Sequence, residues 1–161
     1  MQNSLAKRIV CIGLCLLAFF ARFGAFADEE RVFILCNPKT SVNVRKTPKT
    51  KSEITGRLEF GDWVNTDREE KNGFLHVYGI TEDGEGWVFA GYVVDDEPIR
   101  TVNTRANINA SGRVMAYRWI DGKRNCWLKV SERVTVYGIS SEWSVTNRGY
   151  IRTKYLEVNY E

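Results

Sequence analysis

Apolar and polar residues alternate along most of this chain in short runs. Gly, Asn, Asp or Pro interrupts them at intervals of roughly 8–12 residues, the spacing of an all-β sandwich or small barrel. Val32 to Cys36 is an apolar run ended by the turn pair Asn37-Pro38. Val42 to Arg45, Ile54 to Phe60 and Trp63 to Thr66 follow as strands, with a loop at Pro48 and a turn at Gly61-Asp62. Asn72-Gly73 signals a tight turn before the strand Phe74 to Tyr78, and Glu82 to Glu85 marks another. Ile99 to Arg105, Val114 to Trp119, Asn125 to Val130 and Val134 to Tyr137 continue the pattern to the C-terminus. Nowhere beyond residue 27 does a helical period hold for three turns.

Two echoes organise these strands. Gly86-Trp87-Val88-Phe89-Ala90-Gly91-Tyr92-Val93 returns 63 residues later as Gly149-Tyr150-Ile151-Arg152-Thr153-Lys154-Tyr155-Leu156. Val42-Asn43-Val44-Arg45 returns as Val102-Asn103-Thr104-Arg105, 60 residues on. Repetition at nearly one period predicts a duplicated module. Asp95 to Pro98 breaks the pattern, which places one unit at residues 28–97 and a second at 98–161. In this alignment the loop Asn107 to Gly112 stands for the Pro48 loop, and Val114 answers Ile54. Leu128 answers Leu58 at a spacing of 70, so about ten residues read as an inserted hairpin turning at Asp121-Gly122.

Residues 1–27 look like a leader rather than fold. Lys7 and Arg8 precede an apolar run from Ile9 to Phe20, and Ala25-Phe26-Ala27 offers small residues for cleavage. That run is too short to span a bilayer, which takes about 20 residues. The expectation is an exported, cleaved product, periplasmic or extracellular, without a membrane span. Removing the leader changes the charge: residues 28–97 carry 9 basic and 15 acidic residues, and residues 98–161 carry 11 basic and 5 acidic. A balanced whole gives no bulk case for nucleic acid. It does place a unit of −6 beside one of +6, which predicts a docked pair that loosens with salt unless a disulfide or an apolar contact dominates.

The Asn-Val-Arg start, the Pro48 loop, Leu58-Glu59-Phe60-Gly61-Asp62 and the closing Gly-Trp-Val with its following Tyr resemble bacterial SH3 (SH3b) domains. The resemblance covers nearly all the chain after residue 27 as two tandem copies. In the second copy Ile108 stands in place of the Pro, and Ser131 in place of the Gly at position 61. It implies an all-β architecture of two small SH3-like barrels, secretion, and binding to cell-wall peptides beside a hydrolase domain that this chain does not contain.

The chemical inventory predicts no enzyme, no cofactor and no metal. His76 is the only histidine, set in a strand, and no local context pairs it with Cys36 or Cys126. Carboxylate pairs such as Glu69-Glu70 and Asp95-Asp96 sit in turns and read as solvated charge. Cys36 and Cys126 either close a disulfide joining the two units or remain separate buried thiols. Binding is expected of the aromatics, since all five Trp and all seven Tyr follow residue 27. Trp119 and Trp127 flank the hairpin, Trp143 lies near them, and Tyr92 and Tyr155 close the two echoes. Trp87, Tyr150, Tyr92 and Tyr155 have a competing use in packing the cores. The ligand expected is peptidoglycan or an envelope peptide. The other reading is a scaffold, accessory or inhibitor protein that binds an envelope protein.

Overall fold

The computed structural model describes residues 30–79 and 84–159. The leader falls outside them, as do Glu82 and Asp83 of one expected turn. The described chain is all-β, with two antiparallel sheets and two single 3-10 turns. Among the described residues no helix is long and apolar enough to cross a membrane.

The first sheet is built from β1 (Glu30–Ile34), β2 (Val42–Arg45), β3 (Ile54–Leu58), β4 (Trp63–Thr66), β5 (Glu70–Lys71), β6 (Phe74–Tyr78), β7 (Glu85–Phe89) and β8 (Val93–Val94). Its order is β3-β2-β7-β6-β4-β1-β8, with β5 on β6. The second contains β9 (Ile99–Ile108), β10 (Val114–Tyr117), β11 (Arg124–Leu128), β12 (Arg133–Ile139), β13 (Trp143–Thr146), β14 (Gly149–Arg152) and β15 (Leu156–Asn159), in the order β11-β10-β14-β13-β12-β9-β15. Strand for strand the two orders correspond. Alternation does the rest: in β2 Val42 and Val44 turn inward while Asn43 and Arg45 do not, and in β10 Val114 and Ala116 turn inward. Each sheet encloses its own core, around Val32, Val44, Val64 and Val88 in one and Ile108, Leu128, Val136 and Ile151 in the other.

Register corrects the upstream repeat. Val42 pairs with Leu58 and Val114 with Leu128, so β2 corresponds to β10, and the spacing there is 72 rather than 60. Val102 to Arg105 lie in β9, whose counterpart is β1: Val32 pairs with Val64 as Ala106 pairs with Val134. The hairpin β10–β11 is therefore not an insertion but the second sheet's version of β2–β3. Likewise the loop after Ile108 answers the loop after Ile34, not the Pro48 loop. A Val-Asn-x-Arg match is short enough to arise in any two strands with one face buried. The downstream echo holds, because Trp87 and Tyr150 take the same place beside Arg45 and Tyr117.

The turns repeat in atomic detail. Gly61 N–H donates to the Ile34 carbonyl at 2.9 Å, and Ser131 N–H to the Ile108 carbonyl at 2.8 Å. Both residues have positive φ, +83° and +61°, so Ser131 holds a left-handed conformation that the first sheet gives to glycine. Asp62 accepts from Glu59 N–H at 2.7 Å, and Glu132 from Lys129 N–H at 3.0 Å.

The sheets meet through a third apolar cluster. Leu35 and Val94 from the first join Trp143, Val145 and Tyr150 from the second, all buried, with Phe60, Tyr92, Tyr117 and Ile120 packed around them. Gly138 is required here, because a Cβ would lie 2.2 Å from the Phe60 ring. The buried Tyr150 hydroxyl donates to the Leu35 carbonyl at 2.7 Å. Ser141 donates to the Asp96 carboxylate from its N–H (2.7 Å) and its hydroxyl (3.0 Å). Every ion pair among the described residues joins partners on the same side of this junction. The opposed net charges thus do not make the contact directly. Buried aromatics do, which is the apolar dominance that the charge argument allowed for.

Candidate functional site

A groove of about 580 Å3 opens beside β10 and β11, between the loop Ala110 to Arg113 and the second 3-10 turn, Thr153–Tyr155. β11 alternates, and its pattern turns Leu128 into the core and leaves Trp127 on the outer face, 56% exposed. Tyr117 comes from β10, Arg152 from the end of β14, and Lys154 and Tyr155 from the turn. Among the described residues no carboxylate lines the groove. Arg152 is committed: its guanidinium stacks 4.1 Å from the Trp143 ring and is held by Asp121 at 2.9 Å and Glu142 at 2.6 Å. The positive charge left to the groove is that of Arg113 and Lys154. Lys154 Nζ sits 5.2 Å over the Tyr155 ring, an arrangement that favours a cation on an aromatic face.

The same positions on the first sheet are differently filled. Phe89 corresponds to Arg152, and Gly91 to Lys154, at the spacing of 63. Here Trp119, from the turn of the β10–β11 hairpin, lies edge-on to Phe89 with ring centroids 5.5 Å apart. Ile120 N–H donates to the Gly91 carbonyl at 2.9 Å. A Cβ on Gly91 would come within 2.5 Å of the Trp119 indole, so only glycine admits it.

Of the aromatics singled out by sequence, Trp127 and Tyr155 come together in the groove. Trp119 is instead half-buried against the first sheet. Trp143 is 3% exposed and belongs to the junction. Tyr92 packs there too, with its ring centroid 6.1 Å from Tyr150. Sequence reasoning missed Arg113, Tyr117 and Lys154. Their signal was the repeat itself, because correct alignment sets Lys154 opposite Gly91.

Two further groups are defined. Asp67, Glu69 and His76 bring donor atoms within 4.8 Å of one another, although Glu69 reads as plain turn charge in the sequence. Asp67 Oδ2 accepts from the Tyr78 hydroxyl at 2.6 Å and lies 3.3 Å from His76 Nδ1, while Asp67 Oδ1 accepts from Glu69 N–H. Partial burial works to raise the Asp67 pKa, but these hydrogen bonds outweigh it and hold the carboxyl at about 2. Cys36 and Cys126 are both free, so no disulfide joins the two sheets among the described residues. Cys36 lies in the first core with its thiol toward the Thr40 carbonyl, and burial pushes it up to about 11. Cys126 packs against the second core. The two are held by separate sheets as separate thiols, the second of the two arrangements that the sequence leaves open.

The geometry can be set beside known proteins. No curated protein matches the chain. Among solved structures it is similar to NlpC1 and NlpC2 from Trichomonas vaginalis, each at 16% identity and a TM-score of 0.37. The alignments cover 86% and 85% of this chain but 48% and 50% of theirs, so it spans about half the length of either. Residues 40–94, running from just before β2 through β8 on the first sheet, match the model of the bacterial SH3 domain family.

Proposed function

We propose that the protein is a non-catalytic, exported binding module of two tandem SH3-like barrels, and that it recognises peptidoglycan peptides or another envelope peptide. The observation that carries this is the groove of about 580 Å3, with Trp127 and Tyr155 as stiff aromatic walls and Arg113 and Lys154 for polar selection. The corresponding strand order of the second sheet supports reading it as a second copy of the bacterial SH3 domain at residues 40–94. A non-catalytic role accords with a buried thiol of raised pKa and with a histidine engaged by Asp67 rather than by a cysteine.

One observation favours the scaffold or accessory reading. Ile99 and Val102 on β9 are 70% and 79% exposed, apolar surface of the kind that a protein partner covers. Sedimentation with purified sacculi separates the two. Saturable retention, reduced by Trp127→Ala without loss of folding, supports wall recognition. No retention at high micromolar protein leaves the scaffold reading in its place.

A further inference from the structure

The two sheets present the same pair of positions to very different surroundings. On the first, Phe89 and Gly91 already carry a polypeptide turn: Trp119 lies on the Phe89 ring, and the Ile120 amide reaches the Gly91 carbonyl. On the second, Arg152 and Lys154 stand in those places, and Lys154 is exposed. From this we infer that the open groove is the docking site for an acidic polypeptide segment of another protein. This rests on the reading of the protein as a binding module and names the chemistry that its second half selects.

The substitutions set that chemistry. Gly91 makes room for an indole, and a residue with a Cβ removes the room, so a copy of the Trp119 turn does not seat at Lys154. What Lys154 offers instead is an ammonium beside the Tyr155 ring, with Arg113 also lining the groove and no carboxylate in the lining among the described residues. Neither Arg113 nor Lys154 takes part in an ion pair among the described residues. The surrounding half carries 11 basic and 5 acidic residues, so its field draws an anionic segment in from a distance. The Trp127 and Tyr155 faces then take an apolar or aromatic side chain beside the carboxylates. A polypeptide is the class favoured, because a polypeptide turn is what the same fold holds at the equivalent place.

The test titrates the whole protein with a fluorescein-labelled decapeptide of alternating Glu and Gly around one Tyr, followed by anisotropy at low and high salt. Its Gln counterpart and a ten-nucleotide oligothymidylate are run alongside. The Glu peptide is expected to bind, to weaken as salt rises, and to lose affinity about tenfold in Lys154→Glu or Arg113→Glu. Lys46→Glu, the same charge change on the first sheet, is expected to leave binding unchanged. Thermal unfolding confirms that the variants fold.

Equal binding of the Gln peptide or of the oligonucleotide overturns the inference, as does indifference to both groove substitutions or the absence of binding at millimolar peptide. Self-association abolished by Lys154→Glu would hand the groove to a second copy of the chain and also overturn it. Retention on sacculi reports on the function separately. Wall binding that survives while peptide binding fails sinks this inference alone, and the reverse sinks wall recognition alone.

Discussion

Two sheets with one strand order have reached opposite solutions at their outer faces. The first is acidic, keeps glycine at position 91 and lies under a tryptophan from its neighbour. The second is basic, has lysine at position 154 and leaves its groove open. The difference teaches that two sheets of one strand order need not carry the same site. Trp119 lies on the first sheet, so the groove proposed for recognition is on the second, and its lining can change without disturbing either core.

The largest effect that tests this division is at the junction. Trp143→Ala removes a 3%-exposed indole from the cluster joining the sheets and is expected to cost about 3–5 kcal/mol in urea unfolding. Phe74 takes the corresponding place on β6 but packs on Phe89, within its own half. Only Trp143→Ala is therefore expected to expand the particle by small-angle scattering at concentrations of urea too low to unfold it. Equal expansion in Phe74→Ala would show that the junction is not special.

Next come the paired glycines. Gly149 has φ +108°, and a Cβ there would lie 2.2 Å from the Tyr117 carbonyl, so Gly149→Ala is expected to cost about 3 kcal/mol. Gly86, its counterpart, would set a Cβ 3.4 Å from the Arg45 carbonyl and meet a Val44 methyl instead, and Gly86→Ala is expected to cost about 1–2 kcal/mol. Chemical denaturation of both variants compares them directly, and the reverse order would mean that Gly149 is not the more constrained of the two.

A smaller difference appears in acid. Asp67 has no counterpart, since the short connection Ser140 to Glu142 replaces its loop. Its folded pKa of about 2 lies below the ordinary 3.8, so its contribution is fully present above pH 4 and is lost as pH falls toward 2. The stability gap between the protein and Asp67→Asn is expected to close across that window and to stay constant from pH 5 to 7. A gap that persists at pH 2 would place its origin elsewhere.

Smaller still is the reciprocal exchange at the matched turns. Ser131→Gly relieves a left-handed φ of +61° and is expected to stabilise by about 0.5 kcal/mol, whereas Gly61→Ala is expected to destabilise by about 1 kcal/mol. Thermal melts resolve both signs. The least effect of all is expected from salt. With no ion pair among the described residues crossing the junction, the radius of gyration is expected to stay the same from low to high ionic strength. Loosening with salt would restore the electrostatic docking suggested by the −6 and +6 halves.

The strands were legible because alternation forces one face inward: Val42 to Arg45, Trp63 to Thr66 and Phe74 to Tyr78 occur with the boundaries their patterns predict. The downstream repeat was legible for a similar reason, since Gly86 and Gly149 each sit against the backbone of a neighbouring strand where a side chain has little or no room. The upstream repeat was not legible. Val42 and Val102 look alike in one dimension, and only hydrogen-bond register shows that Val114 is the true counterpart. The fate of the aromatics was also beyond reach. By itself the sequence determined an all-β chain with a repeated closing motif and two oppositely charged halves, because periodicity, turn residues and charge are local properties. Tertiary structure alone decided that Trp143 and Tyr150 bind the halves together, that Trp119 covers the first face and that Trp127 stays open. Burial of a large side chain depends on which surface approaches it, and that surface comes from residues distant in the chain.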